Sequence, residues 1–317
     1  MPFQFKPAEA VPRAIRRIVL EQLTFSADRL RHAPPSERDE AVHDARKSLK
    51  KVRAILRLMS EELGHVAETE NVLFRDLARK LSALRDAAVL VETLDSLKDQ
   101  LPAGTNPSLV AAVRATLLQD QAGLTEGISD VQLMKAVAFA LERARERVRN
   151  WPLHATGFAA VAPGLRRIFH RGRKALATVQ ENPSAELFHE WRKRVKDHWY
   201  HIRLLEGAWD DETRSYERSL KELETCLGDD HNLVVLRERT MALEAELDVS
   251  GLLDAIDGRQ KLLRDRALRL GERLYAPKSC EFSQRAEDLW NALQAQRRAP
   301  RHRPVQRRTS RAKASAA

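Results

Sequence analysis

The sequence predicts an all-α protein of eight to ten helices, and three observations lead there. Apolar residues recur at helical spacing almost from end to end of the 317-residue chain. Turn punctuation is sparse: 12 Gly and 13 Pro make about 8% of the residues against a usual 12% or so, which disfavours a many-stranded sandwich or barrel. A set of motifs recurs in order at a fixed offset, so the chain reads as two copies of one helical unit.

A first helix is expected over 11–32, stopped by Pro34-Pro35. Ser36 with Asp39 three residues on reads as a capping box opening a helix to about Leu63. A third helix is expected over 65–99, ending before the turn-rich run from Leu101 to Pro107. Residues 107–149 read as helical, with Gly123 and Gly127 marking a break. Asn150-Trp151-Pro152 starts an irregular stretch to about 160, and a helix follows over 161–181. Asn182 then supplies an N-cap with Pro183 at the first helical position. Helices over 183–207, 210–247, 251–275 and 279–298 complete the series, and no segment reads as a strand.

The repeat is clearest where Val42-His43-Asp44-Ala45-Arg46-Lys47-Ser48-Leu49-Lys50 aligns with Phe188-His189-Glu190-Trp191-Arg192-Lys193-Arg194-Val195-Lys196, 146 residues later. The same offset pairs Arg57-Leu58 with Arg203-Leu204, Leu77 with Leu223, Leu81 with Leu227, and Val89-Leu90 with Val235-Leu236. Upstream, Ile15-Arg16-Arg17-Ile18 pairs with Leu165-Arg166-Arg167-Ile168 at an offset of 150. Two helical units over 1–150 and 151–296 are expected, followed by a disordered basic tail over 297–317.

On a helical wheel, Arg46, Lys47, Lys50 and Arg57 fall within about 60° of His43, with Arg53 just beyond, opposite Val52, Leu49, Leu56 and Met59. That stripe runs about 21 Å along the axis. His189, Arg192, Lys193, Lys196 and Arg203 form the same stripe opposite Trp191, Val195, Ile202 and Leu205. A solvated helix face is the simple explanation of charge opposite an apolar stripe. Solvated faces, however, mix signs, because opposite charges at i, i+4 support a helix and like charges weaken it. One-signed stripes retained in both halves are better explained by a bound polyanion that relieves their repulsion. Each histidine has two readings: a donor that becomes a cation at low pH, or a buried helix–helix hydrogen bond.

The paired blocks from His43 to Lys50 and from His189 to Lys196 resemble the signature of the CHAD family, the conserved histidine α-helical domain. Leu84-Arg85-Asp86-Ala87-Ala88-Val89-Leu90 and Leu227-Gly228-Asp229-Asp230-His231-Asn232-Leu233-Val234-Val235-Leu236 look like its second block, and the likeness covers roughly residues 8–295. The resemblance implies two four-helix bundles related by a pseudo-twofold, with the basic helices lining a central groove or pore. It also implies binding of inorganic polyphosphate and a place at polyphosphate granules in the cytoplasm. The family's basic positions carry onto the stripe residues of both helices, and Arg16-Arg17 and Arg166-Arg167 look like the basic pair of each half's first helix. The halves differ in two places: Arg53 faces Trp199 in the alignment, and Arg85-Asp86 faces His231-Asn232.

A linear phosphate polymer suits such a surface: Arg offers a bidentate fork, Lys a mobile point charge, and there are no bases to read. An enzyme is not expected, since no GxxxxGK[ST] loop, GxSxG elbow or HExxH helix occurs. The Glu-x-Glu-x-Lys mark of the triphosphate-tunnel domain that often accompanies CHAD domains is also absent. No cofactor or metal is called for. His43-Asp44 is an isolated pair, His198 of the His198/His201 HxxH pair falls on the apolar side, and Asp229-Asp230-His231 reads as a helix-start cap. Cys226 and Cys280 lie far apart and fit a reducing cytoplasm. The start shows no signal peptide and no uncharged run approaches 18 residues, so no membrane contact is expected. Of the net charge of +10, eight basic residues with no acid lie in the tail, leaving +2 for residues 1–296. The rival reading is sequence-independent nucleic-acid binding through that Arg-rich tail, whose plain alternative is a solubilising end. Aromatic residues at 5% supply little for base stacking.

Overall fold

The structure, a computed structural model, describes residues 3–6, 9–82, 86–97, 101, 107–123, 130–205, 211–244 and 247–298. Among these residues there are twelve α-helices and no strand. In chain order they are α1 (Val11–His32), α2 (Arg38–Leu58), α3 (Ser60–Leu63), α4 (His65–Lys80), α5 (Asp86–Ser96) and α6 (Pro107–Gly123). Then come α7 (Asp130–Arg149), α8 (Ala162–Glu181), α9 (Ala185–Leu205), α10 (Asp211–Met241), α11 (Ser250–Leu274) and α12 (Ser279–Arg298). No described helix is long and apolar enough to cross a membrane. Arg85, Gly127 and the tail beyond Arg298 lie outside the described residues.

Four expectations are corrected. The helix expected to reach Leu63 ends at Leu58; the single turn α3 follows, and Gly64 breaks the path with φ 52°, a left-handed value that glycine adopts without steric cost. Ser36 sits in a short 3₁₀ turn, Pro35–Glu37, and no side chain caps α2, so the capping box with Asp39 does not form. The helix expected over 65–99 is interrupted: α4 ends at Lys80, Leu81 and Ser82 are no longer α-helical, and α5 begins at Asp86. Asn182 does not cap α9. It closes α8, its N–H donating to Thr178 O at 3.0 Å, and Ser184 caps α9 by accepting the Leu187 N–H at 3.3 Å.

Apolar stripes on these helices meet in one continuous core. α1 packs between α2 and α7, and α2 also lies on α4. In the second part of the chain α8 packs on α9, α11 and α12, α9 on α10, and α10 on α11. The α5–α6 hairpin lies against α10, so it bridges from the first part of the chain to the second.

α2 and α9 meet directly, and α2 also touches α8. The α2–α8 approach is close: a Cβ on Gly164 would stand 1.9 Å from the Leu58 carbonyl oxygen, so only glycine fits there. Three further ties hold the helices in register. The buried His201 ring shares a hydrogen bond with Ala54 O at 2.8 Å. Arg57 donates to the buried Asp197 carboxylate at 2.5 Å. Arg167 donates to the Arg57 carbonyl at 2.7 Å and to Ser60 Oγ at 2.6 Å.

Candidate functional site

Packing decides which side of each basic helix faces the interior. On α2 the residues Ala41, Ala45, Leu49, Val52 and Ile55 are fully buried, and on α9 so are Trp191, Val195 and Leu205. Each apolar stripe is thereby consumed. His43 and Lys47 remain exposed on α2, as does Lys193 on α9, while Arg46, Lys50, Arg53, Arg57, His189, Arg192, Lys196 and Arg203 are half-buried.

These residues come together. A cleft of about 800 Å³ is lined by His43, Arg46, Lys47 and Lys50 of α2, by Arg192, Lys196 and Arg203 of α9, and by Lys221, Glu224 and His231 of α10. Val89 and Leu90 of α5 and Val235 of α10 add apolar wall. A second cavity of about 280 Å³ is lined by Arg53, Arg57, His189, Lys193 and Arg194. Lys50, Arg192, Lys196 and Tyr200 line both, so they form the wall the two cavities share.

Concentrating cations in a partly dry place opposes their charging. Burial, then the neighbouring charges of Lys196, Arg46 and Arg192, push the Lys50 ammonium down to about 7. Burial and Arg57 bring Arg53 down to about 10. Burial lowers Arg192 despite the nearby carboxylates of Glu224, Asp229 and Asp230, and it lowers Lys196 despite its bond to Glu224. The His189 and His231 rings meet tilted by 35° with their centres 4.2 Å apart, and His189 Nδ1 is buried without a hydrogen-bond partner among the described residues. Burial and the adjacent cations hold His189 below its ordinary value and His231 down at about 4. His189 is therefore at the cavity wall, whereas the buried helix–helix bond belongs to His201.

Two expected pairs stand apart from this cluster. Arg16 donates to the Trp151 carbonyl at 2.6 Å and fastens the irregular stretch after α7 to α1. Arg17 is ion-paired to Glu9 at 2.7 Å and to Glu21 at 3.2 Å. Arg167 pairs with Glu61 beside its bonds to Arg57 and Ser60, and Arg166 lines a separate surface hollow with His170. Asp229-Asp230-His231 is not a helix start: it lies inside the continuous α10, where buried Asp230 accepts from Arg264 at 2.7 Å and Gln260 at 3.2 Å. His198 is fully buried, within 3.1 Å of the Tyr275 hydroxyl, and burial takes it down to about 3. Among the described residues no group of three or more His, Cys, Asp or Glu could hold a metal ion.

Residues that the repeat did not single out also line the site. Trp199, standing where the first half has Arg53, carries Lys221 Nζ 4.5 Å and the Arg203 guanidinium 5.4 Å from its ring centre, and donates Nε1–H to Glu217 at 2.6 Å. Lys221 and Glu224 occupy α10 at positions whose counterparts 146 residues earlier are Arg75 and Ala78, so the alignment carried no signal for Glu224.

The CHAD domain family model matches residues 20–240, about seven-tenths of the chain, and every cleft residue above lies within that span. The chain belongs to the CHAD family. CHAD domains are associated in general with polyphosphate binding. The crystal structure of the CHAD domain from the plant Ricinus communis has the same fold, with a TM-score of 0.50 and 18% identity over 95% of this chain and 96% of that one. No curated protein matches this CHAD sequence.

Proposed function

We propose that this CHAD protein binds inorganic polyphosphate in the cleft between α2 and α9, acting by binding and not by turnover, at polyphosphate granules in the cytoplasm. The observation that carries this reading is the shared wall: Lys50 from one half of the sequence and Arg192 and Lys196 from the other stand together between two cation-lined cavities. A phosphate polymer presents oxygens at a spacing that lets several of these side chains bond at once, and it relieves the repulsion that adds to burial in lowering Lys50. In this reading the units over 1–150 and 151–296 are two copies of one bundle related by a pseudo-twofold, and the cleft is their common groove. The presence of both Val89-Leu90 and Val235, partners at the 146-residue offset, on one cleft wall supports that symmetry.

The test is a competition titration at one fixed near-physiological salt, using long-chain polyphosphate, short chains, duplex DNA and RNA. Long-chain polyphosphate is expected to displace the others. The contrary result is duplex DNA binding as tightly as polyphosphate, with both lost on deletion of 297–317. Affinity would then reside in the Arg-rich tail as counterion release.

A further inference from the structure

Among the described residues Glu224 is the one carboxylate of the cleft that is both buried, at 4% exposure, and bonded to two of its lysines. Its two oxygens divide between them: Oε1 accepts from Lys196 Nζ and Oε2 from Lys221 Nζ, each at 2.6 Å. Burial alone would raise this carboxyl, but Lys196 and Lys221 outweigh it and bring it down to about 2, so it is an anion at every physiological pH. Lys50 feels it as the attractive charge among the repelling Lys196, Arg46 and Arg192, and Arg192 feels its attraction together with that of Asp229 and Asp230.

We propose that Glu224 is a resident counter-anion that holds the cleft's lysines when no ligand is bound and thereby sets how much negative charge a ligand must bring. The proposal rests on the polyphosphate reading of the same cleft. A carboxylate already in place between Lys196 and Lys221 leaves a small phosphate little to gain by replacing it. A long chain gains elsewhere, because it also reaches Arg46, Lys47 and Lys50 on the facing helix. Lys221, exposed and held only at its tip, is the lysine that changes partner, while the more buried Lys196 stays shared. Glu224 thus discriminates against pyrophosphate, and against any anion that cannot span the cleft. The first half carries Ala78 at the equivalent position, so the device belongs to one side only.

The experiment compares wild-type full-length protein with Glu224→Gln and Glu190→Gln, measuring thermal midpoint and affinity for pyrophosphate and for long-chain polyphosphate. Glu190→Gln is the charge-matched control, since Glu190 pairs with Lys193 at 2.5 Å in the open, both 48% exposed. Glu224→Gln is expected to lower the thermal midpoint yet tighten pyrophosphate binding by about tenfold or more, with a smaller gain for the long chain. Glu190→Gln is expected to tighten it by less than about threefold. A purely structural glutamate would instead lose stability and affinity together, and that result overturns the proposal. So does an equal gain in Glu190→Gln, which would reflect net charge alone. Should Glu224→Gln not fold, Lys221→Gln is compared with Lys193→Gln; a loss of long-chain affinity with pyrophosphate affinity little changed in Lys221→Gln supports the proposal, and equal losses for the two ligands overturn it. A wild type that binds no polyphosphate removes the underlying reading itself, whereas binding without an effect of Glu224 removes only the counter-anion.

Discussion

Replacing Arg46, Lys50, Arg192 and Lys196 together by alanine is expected to weaken long-chain polyphosphate binding by at least about a thousandfold, with helical content unchanged. Each of these cations can make a charge-assisted hydrogen bond worth roughly 1.5–3 kcal/mol, so the loss of four exceeds three decades in affinity even after generous discount. The helices should survive because their packing lies on the other faces, in Leu49, Val52, Trp191 and Val195, all fully buried. Salt dependence provides a second readout. A linear polyanion releases counterions in proportion to the cations it meets, so the slope of log affinity against log salt should fall by about three. Circular dichroism and a binding titration at several salt concentrations check both, and an unchanged slope would place the ligand elsewhere.

Lys50→Met is expected to stabilise the empty protein while impairing its function. An ammonium pushed from 10.5 to about 7 means that the folded state binds protons more weakly than the unfolded chain. The cost of charging it is therefore full below pH 7, falls as pH rises, and vanishes above the unfolded value. Wild-type stability should climb through this group between pH 7 and 10. Lys50→Met should be more stable by roughly 1–3 kcal/mol at pH 6 and nearly equal to wild type at pH 10. Urea denaturation at the two pH values measures the difference. Binding reverses the shift: a polyanion favours the charged ammonium, so the wild type should take up close to one proton on binding at pH 8 and lose affinity as pH rises from 7 to 9. Calorimetry in two buffers of different ionisation enthalpy reads that proton, and its persistence in Lys50→Met would assign it to another group. The nearest competitor is Lys51, brought to about 8 by burial, Lys47 and Arg203, but it points away, over the Phe3 ring and toward Gln22 at 3.4 Å.

Much of the fold could be read in one dimension because its signals are local. Pro34-Pro35 ends α1 where expected, and the apolar stripes of α2 and α9 are buried as their spacing required. The missed boundaries are those decided by backbone conformation: the turn at Gly64 and the end of α4 at Lys80 carry no Pro and only one Gly. α10 shows the converse, running unbroken through Gly228 and the Asp229-Asp230-His231 run that reads as a start.

For the site, the repeated stripe was visible because the same face serves both helices. Arg16, Arg17 and Arg167 belong to equally repeated motifs, yet Trp151, Glu9 and Glu61 claim them through contacts that form only on folding. His189 and His201 lie on one helix at similar polarity, and only the crossing of α9 over α2 decides that His201 makes the interhelical bond while His189 meets His231. Glu224 was hidden for the same reason, since its partner Lys196 lies 28 residues away on another helix.

The most direct measurement is a crystal structure of the full-length protein soaked with a short polyphosphate. Phosphate groups should lie between α2 and α9, with oxygens about 2.7–2.9 Å from Lys50, Arg192 and Lys196 side-chain nitrogens. Phosphates gathered around Arg166 and His170, with the cleft between α2 and α9 empty, would contradict the assignment.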